Sequence, residues 1–151
     1  MRKRNEGFSL IELLIVVAII LIIAAIAIPN LLRSKMAANE ASAVGTLRTI
    51  NTASVMYSTV YGNYPPSLTD LGPSTSPTST AADMVDAPVA SGTKSGYKFS
   101  FTAPSTYQTY SIIASPTSQN ITGQRYFYTD QTGVIRYNLT TTAASTDQPL
   151  Q

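Results

Sequence analysis

At 151 residues, with 44% hydrophobic and only 12% charged side chains, the chain has room for one modest domain and one special segment. It holds no cysteine and no histidine, which excludes disulfides, thiolate chemistry, a Ser-His-Asp arrangement, and the commonest general base and metal ligand. Net charge is +2, but Met1–Gly7 carries three of the ten bases and one of the eight acids. The remainder therefore balances at seven of each and offers no basic footprint for nucleic acid.

The first element is an apolar block. Phe8 to Ile28 is 21 residues, long enough to cross a bilayer core at about 1.5 Å per helical residue. The cluster Arg2, Lys3 and Arg4 ahead of it should stay on the cytoplasmic side and send the rest of the chain outward. A secretory signal also fits the basic start, the apolar run and the A-x-A-like Ala25-Ile26-Ala27. Against that stand the length of the run and Glu12 inside it. A carboxylate within a bilayer costs roughly 2.5–3.5 kcal/mol and normally has a partner, a penalty that a discarded signal has no need to carry.

The stretch Lys3-Arg4-Asn5-Glu6-Gly7-Phe8-Ser9-Leu10-Ile11-Glu12, with Leu13–Ile20 and Ala24–Pro29 after it, resembles the processing site and helix start of type IV prepilins and pseudopilins. The resemblance is specific over about the first thirty residues, as a motif should be in its proper context. It implies a leader 1–7, cut between Gly7 and Phe8 by a prepilin peptidase that also methylates the Phe8 amine. It further implies that Glu12 meets the Phe8 amine of a neighbouring subunit, since two charges paired in low dielectric relieve each other. A protonated or snorkelling carboxyl near the interface is the plainer alternative. Many relatives have glycine where this chain has Leu21, which disfavours local melting, so the expected irregularity is a kink at Pro29.

The helix is expected to continue over 29–61. Ala43, Leu47, Ile50, Ser54, Tyr57 and Tyr61 form a narrow stripe, with polar residues such as Arg33, Lys35, Glu40 and Arg48 between them. Gly62 and Pro65-Pro66 supply the stop. Counted from Phe8 the rod would be roughly 80 Å long, about 50 Å of it beyond the membrane. Leu47, Ile50 and Tyr57 read as core for the following domain; Gly45 reads as a tolerated glycine or a point of close approach.

Residues 62–96, rich in Pro, Ser, Thr and Ala, read as an irregular αβ loop with short helices at Ser67–Gly72 and from Thr80, where Asp83 weakly completes a capping box. Strands are predicted at Tyr97–Thr102, Tyr107–Ala114, Arg125–Thr129 and Val134–Asn138, with Asp130–Gly133 as a hairpin loop. Tyr110, Tyr126, Phe127, Tyr128 and Tyr137 read as sheet packing rather than an electron path or carbohydrate platform. Residues 97–139 thus form a small antiparallel sheet, and 140–151 read as a frayed tail. Asn120 and Asn138 open N-x-[ST] triplets that read as chance, and the Ser/Thr-rich loops are as plausible for O-linked sugar.

The expected architecture is α+β: a long N-terminal helix, membrane-spanning in its first half, packed against a small antiparallel sheet as in pilins. No catalytic constellation and no cofactor is expected. Asp130 and Asp147 are the main acids the C-terminal part offers toward a calcium site of the pseudopilin kind, which needs several converging oxygen ligands. The helix aromatics Phe8, Tyr57 and Tyr61 are too sparse to argue for a conductive fibre. The resemblance implies a major pilin in the inner membrane, single-pass with its C-terminal region outside, that then polymerises with itself into a surface filament. Prepilin peptidase, the assembly platform and its ATPase are the implied partners. A type II secretion pseudopilin is the alternative, and an exported binding domain behind an ordinary signal is a third reading.

Overall fold

The computed structural model describes residues 7–150, so the expected leader lies, apart from Gly7, outside the described residues. The chain divides between Ser34 and Lys35 into two compact units. One helix, α1 (Leu10–Tyr61), supplies all the regular structure of the first and the opening of the second. It runs through Pro29 without interruption, although proline forfeits one backbone bond there. Gly62, at φ +83°, ends it, and the Gly62 amide closes the last turn on the Ser58 carbonyl at 2.9 Å, as a left-handed glycine cap does.

The second unit builds its core on the helical stripe. Ala43, Leu47, Ile50, Ala53 and Tyr57 are buried against Tyr97, Phe99, Ile112, Ala114 and Phe127 of the sheet and Leu68, Leu71 and Val89 of the loop. Complete burial of a Leu or Ile stabilises by about 1.5–3 kcal/mol, so this seam holds helix and sheet together. Gly45 has open space around it; no neighbour approaches it closely.

Between helix and sheet, a 3₁₀ turn covers Thr69–Leu71, inside the short helix expected there. The helix expected from Thr80 does not form. Thr78 and Ala81 instead make a bridge, and Asp83 adopts φ +56°. The amides of Ala82, Met84 and Val85 are spent on the carbonyls of Asp70 and Leu71, which leaves none for a helix. The helical turn comes later, as α2 (Ala87–Ala90), with the Asp86 carboxylate accepting the Val89 amide.

Six antiparallel strands follow as a meander in chain order: β1 (Thr93–Lys94), β2 (Tyr97–Thr102), β3 (Ser111–Pro116), β4 (Tyr126–Asp130), β5 (Arg136–Asn138) and β6 (Gln148–Pro149). Along β2, Tyr97 and Phe99 face the core while Lys98, Ser100 and Thr102 are exposed, the alternation of a half-buried strand. The second strand differs from expectation. Tyr107 sits at φ +50° in a turn closed on Pro104, so pairing starts at Ser111 opposite Thr102. The Asp130–Gly133 turn is present, with Gly133 at φ +75°. It delays β5 to Arg136.

The sheet also exceeds the expected 97–139 at both ends, through β1 and β6. The tail is ordered rather than frayed: Ala143 is buried, and the Leu150 amide bonds the Ile135 carbonyl at 2.7 Å. Asp147 organises it, accepting the Ala144 amide at 2.7 Å and the Asn138 side-chain amide at 3.1 Å. Such long-range partners leave no hydrophobic period in a run of Thr, Ala and Ser.

Candidate functional site

The apolar stretch cannot be explained as the inside of a soluble fold. From Gly7 to Lys35 every residue is exposed except the half-buried Ala24, and large aliphatic side chains from Leu10 to Leu32 point outward on all sides of the helix. A helix that is apolar all round needs lipid or other protein about it. It is long and apolar enough to cross a membrane.

At its head, Gly7 has an unobstructed backbone and Phe8 is 83% exposed. Ser9 precedes the first helical residue, and its amide donates to Glu12 Oε2 at 2.9 Å. This is the reaching-back half of a capping box. Glu12 therefore satisfies one of the four amides that a helix start leaves unpaired, a role that the Ser9-x-x-Glu12 spacing carried and that a reading focused on charge pairing overlooked. Glu12 makes no ion pair among the described residues. Phe8, Glu12 and Pro29 thus all lie on one exposed apolar segment, with Glu12 in its first turn and Pro29 just past its end.

In the second unit the side chain that sequence reading misplaced is Glu40. Rather than facing solvent between the stripe residues, it is 7% exposed. Its Oε1 accepts the amides of Gln124 at 2.8 Å and Arg125 at 3.1 Å, and its Oε2 pairs with Arg125 Nε at 2.7 Å. The Arg125 guanidinium lies 5.7 Å from the ring centroids of both Phe127 and Tyr137. Burial by itself would push the Glu40 carboxyl up; the Gln124 amide, the guanidinium and the Arg125 amide outweigh it and hold the group below its ordinary 4.5. The signal was present, because Met36 and Glu40 continue the buried stripe upstream by steps of four and three.

A second polar tie lies further along. The Tyr110 hydroxyl donates to Asn51 Oδ1 at 3.0 Å, and Asn51 Nδ2 donates to the buried Thr129 hydroxyl at 2.9 Å. Burial pushes the Tyr110 hydroxyl up to about 12. Tyr97, deeper still, is raised by burial as well and donates to the Arg125 carbonyl. Asp130 and Asp147 are both occupied in local turns, and no three acidic side chains converge among the described residues.

Residues 2–28 match the family described as the prokaryotic N-terminal methylation motif. The type IV major pilin protein PilA of Myxococcus xanthus is 52% identical over 50 residues, 33% of this chain and 23% of that one. The type IV wide pilus major component PilA4 of Thermus thermophilus is 58% identical over 38 residues, 25% of this chain and 29% of that one. The type II secretion system core protein G of Aeromonas hydrophila is 33% identical over 64 residues, 42% of this chain and 45% of its own. The chain thus spans less than half the length of these curated relatives. No solved structure matches it.

A methylation motif opening a membrane-length helix, joined to a small antiparallel sheet domain, defines a class of helix-anchored subunits. Together with these similarities, it makes the N-terminal part of the chain similar to type IV pilins and type II secretion pseudopilins.

Proposed function

We propose that the chain is a structural subunit, a major pilin that is held in the inner membrane by α1 and polymerises through that helix into a cell-surface filament. The observation that carries this reading is the exposed, all-round apolar segment with a single acid in its first turn. In a filament, neighbouring helices replace the lipid, and Glu12 meets the positive amine that cleavage creates at Phe8. Its bond to Ser9 uses one carboxylate oxygen and fixes the direction in which the other is presented. Prepilin peptidase cuts between Gly7 and Phe8 and methylates Phe8; the assembly platform and ATPase extract the subunit from the membrane. The chain is not an enzyme, and motility, adhesion or DNA uptake belong to the assembled fibre.

Mass spectrometry of the mature N-terminus tests the first step. A methylated Phe8 is expected; a start at Ile28 would overturn the reading in favour of an ordinary signal. The likeness to a type II secretion core protein, which covers more of this chain than either pilin does, favours a second reading as a pseudopilin of a short periplasmic filament. Loss of surface filaments on gene deletion supports the pilin; intact filaments with failed secretion support the pseudopilin.

A further inference from the structure

The sheet leaves one stretch of its first edge open. β1 joins β2 through Ser95 and Gly96, at φ +50° and +73°, a two-residue turn that sets Lys94 opposite Tyr97. Backbone groups along an antiparallel strand point alternately to its two sides. In β2, Lys98, Ser100 and Thr102 bond toward β3, while Tyr97, Phe99 and Phe101 turn their amides and carbonyls toward the line of β1. β1 serves only the first of these in full. The Phe99 amide still reaches the Gly92 carbonyl at 2.8 Å, but the Gly92 amide is spent on Val89 at 2.9 Å. Upstream of that point the chain is coiled into α2. The Phe101 N–H and C=O therefore meet no partner among the described residues.

Beside this gap lies a hollow of about 170 Å³, lined by Leu68, Ala90, Phe99 and Phe101 together with the hydroxyl residues Ser67 and Ser91. A free donor and a free acceptor on one edge residue are half of a ladder pair, which the backbone of an extended peptide completes. The residue set opposite Phe101 would turn its side chain to the face on which Phe99 and Phe101 pack against the core. The hollow gives that side chain room if it is small and apolar.

The sheet's other edge is a poor occupant. In β6, Gln148 stands opposite Tyr137 and the Leu150 amide reaches the Ile135 carbonyl. By alternation Pro149 falls at the outward position, where it has no N–H to give. Continuation of the sheet from β6 of a second copy is thus blunted.

We propose that the gap beside Phe101 is a docking site for one extended segment of a partner polypeptide, with alanine or valine opposite Phe101 and polar residues on either side. This goes beyond the filament reading and does not depend on what surrounds the apolar run.

The chain holds four phenylalanines, so isotope labelling of phenylalanine nitrogen in the full chain, kept in detergent, follows each amide by magnetic resonance. In the free chain the Phe101 amide should exchange with solvent about tenfold or more faster than that of Phe99. The probe acetyl-Thr-Thr-Val-Thr-Thr-amide, added to millimolar concentration, should shift the Phe101 signal saturably and slow its exchange, while Phe127 keeps its position. N-methylation of the probe's valine removes the donor to the Phe101 carbonyl and should weaken binding about tenfold. A Phe101 amide already protected in the dilute free chain means the gap is filled, and overturns the proposal. So does an unchanged Phe101 signal at saturating probe, or equal binding of the N-methylated probe. Protection that grows with protein concentration and without probe assigns the gap to a second copy and likewise overturns it.

Discussion

Replacing Glu40 by alanine removes the acceptor of three hydrogen bonds at once: two from the amides of Gln124 and Arg125 and one from the Arg125 guanidinium. Breaking a buried ion pair from one side costs about 3–5 kcal/mol. Here the Arg125 side chain is 37% exposed and Gln124 is exposed, so water can reach the orphaned donors and the expected loss is about 2–3 kcal/mol. For a unit of this size that lowers Tm by about 6–15 °C. Glu40→Gln keeps one acceptor but turns a donor toward the guanidinium, and should lose about 1–2 kcal/mol. Thermal melts of the full chain in detergent, followed by the near-ultraviolet signal of the buried tyrosines, read the effect. The pH dependence follows from the lowered pKa of Glu40. Its stabilisation is fully present above the ordinary value of 4.5 and is lost as pH falls through the lower folded-state value. Wild type and Glu40→Gln should therefore converge in acid. Melts for Glu40→Ala within about 2 °C of wild type at neutral pH, or curves that stay parallel into acid, would refute the clamp.

Glu12→Ala should leave the protein in the membrane but abolish filament assembly, read by the sheared-filament yield; wild-type yield would show that the carboxylate sets no register. Leu47→Ala, at a fully buried position of the seam, should destabilise the sheet domain by about 2–5 kcal/mol, measured by the same melts, while membrane insertion is unchanged. Gly123→Ala places a Cβ against the hydroxyl and ring of Tyr97. It should cost about 1–3 kcal/mol through overpacking, and Tyr97→Phe in the same chain should recover part of the loss.

Elements governed by local chemistry were legible in the residues. The apolar run, the stripe from Ala43 to Tyr57, the Gly62 stop and the alternation at Tyr97–Thr102 each follow from a period or a cap that the chain carries within a few residues. Elements set by distant partners were not. Thr80–Asp83 had the capping residues of a helix, yet its neighbouring amides were claimed by Asp70 and Leu71. Tyr107 had the composition of a strand, but the register with β2 begins only at Ser111.

For the candidate site the division is the same. Gly7, Phe8 and Glu12 were marked by the resemblance of their motif to prepilins, and the Ser9–Glu12 cap was written in its spacing, because its two partners lie three residues apart. Glu40 was different. It was read as a polar residue between the stripe positions, because a carboxylate is buried only where partners wait for it, and those partners are 84 and 85 residues away. The ordered tail around Asp147 and the open edge at Phe101 likewise depend on which strand edges meet. Local order belongs to single-residue geometry and short-range hydrogen bonds; the rest is decided when the chain closes, since only closure brings distant donors, acceptors and loop ends together.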